Sequence, residues 1–142
     1  YAERQVQILF LKYATAKTSL PCDRMIYQAM ASTFMRGQCL FRPGDNTYET
    51  APYPESLPRA MKAFEYAIAR HPDEAIKAAY VYFLQNAVYV LHVMNREAEA
   101  RRVFERLTTA FRAYDIPGYD TLISTPTAPS LRPIKGEKTD AP

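Results

Sequence analysis

Apolar positions recur at helical spacing over most of the first 114 residues. In residues 2–16, Val6, Leu9, Phe10, Tyr13 and Ala14 follow the rhythm of one helical face. Thr18-Ser19-Leu20-Pro21 interrupts it, because Pro has no amide hydrogen and disfavours helical geometry in the residue before it. A second helix is predicted from about Asp23 to Arg36, with Met25, Ile26, Ala29, Met30 and Phe34 on its apolar face. Gly37 follows as a stop, the residue that takes the left-handed cap conformation most cheaply. Ser56 and Pro58 open a third helix, a hydroxyl cap followed by Pro in the first turn. Its stripe is Ala60, Ala63, Phe64, Ala67 and Ile68, and His71-Pro72 ends it. Asp73-Glu74 places acids at the positive end of the next helix dipole. That helix continues to about Met94 on the stripe Leu84, Ala87, Val88 and Leu91. Asn95 is the hinge, and Arg96 to Ala113 the last helix, with Ala100, Val103, Phe104, Leu107 and Phe111 inward.

Two stretches lack this rhythm. Residues 38–55 contain the turn chemistry of Phe41-Arg42-Pro43-Gly44-Asp45-Asn46, followed by Thr50-Ala51-Pro52-Tyr53-Pro54-Glu55. They are expected as a long Pro/Tyr loop, extended or polyproline-like, of a kind that is often functional. Residues 115–142 carry Pro117, Pro126, Pro129, Pro133 and Pro142 without periodicity. They are expected as an extended C-terminal arm held against its own helices or a neighbouring chain.

Composition narrows the class. The 142 residues are 48% hydrophobic and 23% charged, which is globular. Four glycines are too few for a phosphate-binding loop or a turn-dense β-sandwich, and Gly37, Gly44, Gly118 and Gly136 form no such motif. The eleven prolines fall at helix boundaries or in the two irregular stretches, so none breaks a proposed helix. A net charge of +3 is too small to argue for nucleic acid or an anionic membrane. No apolar run approaches the roughly 20 residues that span a bilayer. The chain begins with Tyr1 rather than Met, which reads as a processed or excised piece.

The third and fifth helices repeat one another. Ala60, Phe64, Ala67 and Pro72 have the same spacing as Ala100, Phe104, Leu107 and Arg112, forty residues later. The small residue permits close helix approach, the aromatic fills the core, and the third position packs on the neighbour. The segment Ala60-Met-Lys-Ala-Phe64-Glu-Tyr-Ala67-Ile-Ala-Arg-His-Pro72-Asp resembles the second helix of a tetratricopeptide repeat, including its terminal Pro. The resemblance covers about residues 56–112. It departs from the family in its longer period, in Arg112 where Pro is usual, and in the first-helix pattern, whose register is held here by Leu84, Ala87, Val88 and Leu91. It implies stacked helical hairpins with a concave surface that holds peptides or partner helices. The groove-facing set it implies is Tyr82, Gln85, Asn86, Tyr89 and His92, which also lie opposite the apolar stripe. Tyr offers contact area at low entropic cost, and Asn or Gln can bond an extended backbone. Packing of Tyr82 and Tyr89 against a neighbouring helix layer is the competing reading.

Catalytic and metal chemistry find no anchor. His92 has Asn95 and Arg96, not a ligand, one turn on, and His71 suits a helix C-terminus. Cys22 and Cys39 flank a helix too long for a disulfide and lack zinc-knuckle spacing, so reduced or inaccessible thiols are expected. Arg101, Arg102 and Arg106 form a basic helix face interleaved with Glu99 and Glu105, a salt-bridged surface before it is a contact for an acidic partner or RNA. The expectation is an all-α chain: residues 1–114 as antiparallel helical hairpins stacked in a short tetratricopeptide-like solenoid, and 115–142 as a Pro-rich arm. Its expected use is non-catalytic, as a protein–protein interaction or assembly scaffold in a larger complex, without cofactor or metal and bound to another protein or a neighbouring subunit. The alternative is a regulatory or ligand-binding helical domain of a larger enzyme or sensor.

Overall fold

The structure, a computed structural model, describes residues 2–5 and 19–124. Residues 2–5 are helical, while the rest of the expected first helix and the arm beyond 124 lie outside the described residues. The helices are α1 (Ser19–Arg36), α2 (Leu57–Arg70), α3 (Glu74–Val93), α4 (Glu97–Ala110) and α5 (Tyr119–Ser124). Between α1 and α2 come two strands, β1 (Gln38–Arg42) and β2 (Thr47–Ala51), and a 3-10 turn at Pro54–Ser56. The chain is mostly helical, as the periodicity requires, with one small two-stranded sheet among the described residues. It divides into two compact units, Tyr1–Ile76 and Lys77–Pro142.

In the first unit α1 packs along α2. Tyr27, Met30, Phe34, Leu57, Ala60, Phe64 and Ala67 are buried, and the Tyr27 and Phe64 rings stack with centroids 4.4 Å apart. This rotates α1 from the expected face: Met25 is exposed, and Tyr27 takes the core position. The described helix already includes Ser19 and Leu20, ahead of Pro21. Gly37 ends α1 for a reason other than a left-handed cap. A Cβ on Gly37 would collide with the Thr33 carbonyl oxygen. Ser56 precedes α2, but its hydroxyl donates backwards to the Tyr53 carbonyl (2.7 Å) instead of capping the helix.

The expected loop at 38–55 is in large part a β-hairpin. β1 and β2 pair antiparallel from Gln38↔Ala51 to Arg42↔Thr47, around the turn Pro43-Gly44-Asp45-Asn46. Leu, Phe, Tyr and Thr favour extended backbone, and Asn46 accepts a positive φ of 55° at the turn. β2 is the strand that packs on α1.

In the second unit Leu84, Ala87, Val88 and Leu91 are fully buried, as expected of the α3 stripe. The helix ends in a Schellman motif. Asn95 is left-handed (φ 59°), its N–H donates to the His92 carbonyl (2.9 Å), and the Arg96 N–H donates to that of Leu91 (2.8 Å). The chain then reverses, which places Phe111 edge-on to Tyr80 (5.6 Å) and Glu97 beside His92. α3 and α4 are therefore antiparallel. On α4, Ala100, Val103 and Leu107 are buried, while Phe104 is only half-buried, with its ring edge-on to Tyr119 at 5.4 Å. Residues 119–124 of the expected arm are helical, and Leu122 is buried.

Truncating the stacked ring should be costly. Phe64→Ala is expected to lower stability by roughly 3–5 kcal/mol in chemical denaturation, and Phe104→Ala, which removes a half-buried ring, by clearly less. Equal losses would mean that the burial of Phe64 is not what holds α1 on α2.

Candidate functional site

The hairpin gathers the exposed apolar surface. Among the described residues, four of the eight large exposed apolar side chains fall between 40 and 53: Leu40 (49%), Phe41 (50%), Tyr48 (72%) and Tyr53 (39%). The register sorts them by face. Leu40 lies with Arg42 and Glu49, whose side chains form an ion pair at 2.9 Å. Phe41 and Tyr48 sit opposite one another on the other face, rings 5.1 Å apart, beside the exposed Cys39. Neither face is covered among the described residues, and a two-stranded ribbon is marginal by itself. Both ends are tied to one place: β1 follows directly on α1, and the Tyr53 N–H donates to the Phe34 carbonyl at 2.7 Å.

The groove set implied by the repeat resemblance is partly buried. Gln85 is buried, at 3% exposure, while Tyr82, Asn86, Tyr89 and His92 are half-buried. The Asn86 amide is spent on its own helix, donating to the Tyr82 carbonyl (3.0 Å).

His92 instead joins a polar cluster around Glu97. A carboxylate only accepts, so His92 Nδ1 donates to Oε2 (2.7 Å) and the Tyr119 hydroxyl to Oε1 (2.7 Å). Arg101 Nε lies 3.1 Å from Oε1, and its guanidinium sits over the Tyr119 ring at 4.5 Å. The hydrogen bonds from His92 and then Tyr119, with the Arg101 charge, hold the Glu97 carboxyl below its ordinary value of 4.5. Burial, and then the bond to Glu97, pushes the Tyr119 hydroxyl up to about 12. The cluster fastens α5 to the start of α4. The basic face is exposed at Arg101, Arg102 and Arg106, but Arg101 is committed to Glu97 and Tyr119, and Arg102 Nε donates to the Ala98 carbonyl (3.3 Å). Arg96 pairs with Glu99 at 2.8 Å.

The other histidine holds a buried acid. His71 Nε2 donates to Asp23 Oδ2 (2.9 Å), joining the start of α1 to the end of α2. Asp23 is 2% exposed, its Oδ1 has no hydrogen-bond partner among the described residues, and the nearest Arg70 nitrogen is 3.8 Å away. Sequence reading placed His71 at a helix C-terminus but could not find Asp23, 48 positions earlier. Both cysteines are free, Cys22 half-buried and Cys39 exposed. No group of His, Cys, Asp and Glu among the described residues could hold a metal ion. No described helix is long and apolar enough to cross a membrane.

Compared with known protein families, curated proteins and solved structures, the chain matches none.

The cluster at Glu97 has a pH signature. The folded Tyr119 value lies above its ordinary 10, so its contribution is complete below pH 10 and is lost as pH rises through about 12. Glu97 is held below 4.5, so its contribution is present above that pH and is lost as pH falls. Ultraviolet titration of the tyrosines should therefore show a late step that Tyr119→Phe removes. The stability difference between wild type and Tyr119→Phe should shrink at both extremes of pH. A difference that stays flat would break the assigned link.

Proposed function

We propose that the chain is a non-catalytic protein–protein interaction module, an assembly scaffold within a larger complex, and that the β1–β2 hairpin is its contact surface. The observation that carries this reading is the concentration of Leu40, Phe41 and Tyr48 on one exposed ribbon, with Tyr53 just beyond it. Phe41 and Tyr48 form an exposed ring pair on one face of the ribbon and Leu40 lies on the other, so the apolar exposure is grouped on one element rather than scattered singly. Aromatic residues are also the usual anchors of protein contacts. The hairpin supports the scaffold reading better than the repeat-like groove does, because Gln85 is buried and Asn86 bonds its own helix. The repeat positions fit a tetratricopeptide-like packing at Ala60, Phe64, Ala67, Ala100 and Leu107, which are buried, and fit it less well at Phe104.

A regulatory or ligand-binding role would draw on convergent charge. The cluster around Glu97 has His92, Arg101 and Tyr119 turned on the same carboxylate and so on each other rather than on a ligand.

The test is a native-extract pull-down followed by size exclusion of what is retained. Phe41→Ser with Tyr48→Ser should abolish recovery of a stoichiometric complex while leaving helical content unchanged, since both rings are exposed. An unchanged complex would remove the hairpin from the contact.

A further inference from the structure

We infer that the β1 edge pairs with β1 of a second copy of this chain, giving a closed two-fold dimer built on a four-stranded antiparallel sheet. This rests on the hairpin being the contact surface and names its occupant. The argument begins with the backbone. In a two-stranded ribbon, alternate residues of each strand point N–H and C=O away from the partner strand, and such an edge is a template for another strand. Native edges are blunted by a charge or Pro within the strand. β2 carries Glu49 at its centre and packs on α1. β1, Gln-Cys-Leu-Phe-Arg, has no Pro and no charge before its last residue, and its central Leu40 is half exposed.

The charge pattern chooses the partner strand. Antiparallel pairing of β1 with its own copy, centred on Leu40, places Leu40 against Leu40, Cys39 against Phe41, and Arg42 against the neutral Gln38. All five residues are paired and no like charges meet. The same symmetry applied to β2 places Glu49 directly on Glu49, which is repulsive. Pairing β1 with β2 of another copy would bring Arg42 to Glu49, but that contact is heterologous and runs on into an open polymer. Glu49 is already held by Arg42 of its own hairpin. The β1 pairing is thus the symmetric contact that closes, and it takes the ribbon from two strands to the four that support an independent sheet. Strands of five residues bury less than a standard interface, so the dimer is weak and is populated only at concentrations in the micromolar range or above.

The experiment uses the full chain in sedimentation over about 1–300 µM, spanning that range. Wild type should pass from monomer to dimer and stop. Leu40→Lys, which sets two ammonium groups face to face, should weaken the dimer at least about tenfold, while Thr50→Lys on β2 leaves it unchanged. The register has its own probe. In a Cys22→Ser, Cys39→Ser background, Leu40→Cys should form an intermolecular disulfide under mild oxidation. Directly opposed strand positions have Cα atoms about 4.5–5.5 Å apart, within disulfide reach. Tyr48→Cys in the same background should not. A monomer throughout the range, a dimer indifferent to Leu40→Lys, or growth into polymers would each overturn the pairing. A monomer whose heterologous complex is still lost in the Phe41→Ser, Tyr48→Ser variant would overturn it while leaving the interaction-module reading standing.

Discussion

Phe34 lies in the last turn of α1, where a carbonyl has no intrahelical amide left to accept from. Its side chain is wholly buried, so water is a poor substitute nearby. The Tyr53 N–H supplies the missing bond, and this one contact shapes the first unit. The chain leaves α1 at Gly37, which admits the backbone where a Cβ would strike Thr33, and must return to Phe34 sixteen residues after it departs. A hairpin is the economical way to leave and return to one point, because its strands satisfy each other's backbone groups along the way. Its return sets Tyr53 and the 3-10 turn against α1, and so aims α2 back along the helix it stacks on. The exposed ribbon is thus a consequence of how α1 is ended.

The helices were legible because their burial is periodic. Leu84, Ala87, Val88 and Leu91 declare a buried stripe whatever it packs on, and His71-Pro72 and Asn95 mark real ends through local backbone preference. The strands were hidden for the complementary reason. A half-buried strand alternates apolar and polar residues, whereas both faces of this hairpin are exposed, so burial imposed no alternation on it. What signal existed was local: Thr-Tyr-Glu-Thr after Pro-Gly-Asp-Asn, with Leu-Phe before it, which is hairpin chemistry rather than loop chemistry. The rotation of α1 had a similar origin. Met25 fits an apolar stripe by type, but Tyr27 can stack on Phe64, and a pattern of residue types does not contain the partner's position.

The polar clusters were less legible still, since each is made by a reversal of the chain. His92 and Glu97 are five apart, which no helical template pairs, yet the Schellman turn at Asn95 folds one onto the other. Tyr119 reaches the same carboxylate from 22 residues away. Two residues proposed for surfaces, His92 on the groove and Arg101 on the basic face, thus both bond Glu97, and Arg101 also sits over the Tyr119 ring of α5. Charged residues near a helix start are most readily used by whatever the chain brings back to them. The acids Glu97 and Glu99 at the positive end of α4 were already favoured there by the dipole.

The two buried or half-buried clusters differ from the hairpin in one respect that bears on function. Around Glu97, three donors converge on one acceptor, and around Asp23 a histidine closes the path between two helix ends. Around Glu97 the chain's own polar groups answer each other, and at Asp23 one carboxylate oxygen is held by His71 while Oδ1 has no hydrogen-bond partner among the described residues. The hairpin differs. Its ion pair and ring pair set the register, but they leave the outer edge of β1 and the rings of Phe41 and Tyr48 facing water. A ribbon whose internal pairing is complete and whose outward surface is not carries its unsatisfied free energy on its exposed faces and edge. That asymmetry is what an association surface requires: rigid enough to hold a geometry, and stabilised further only by something that arrives from outside.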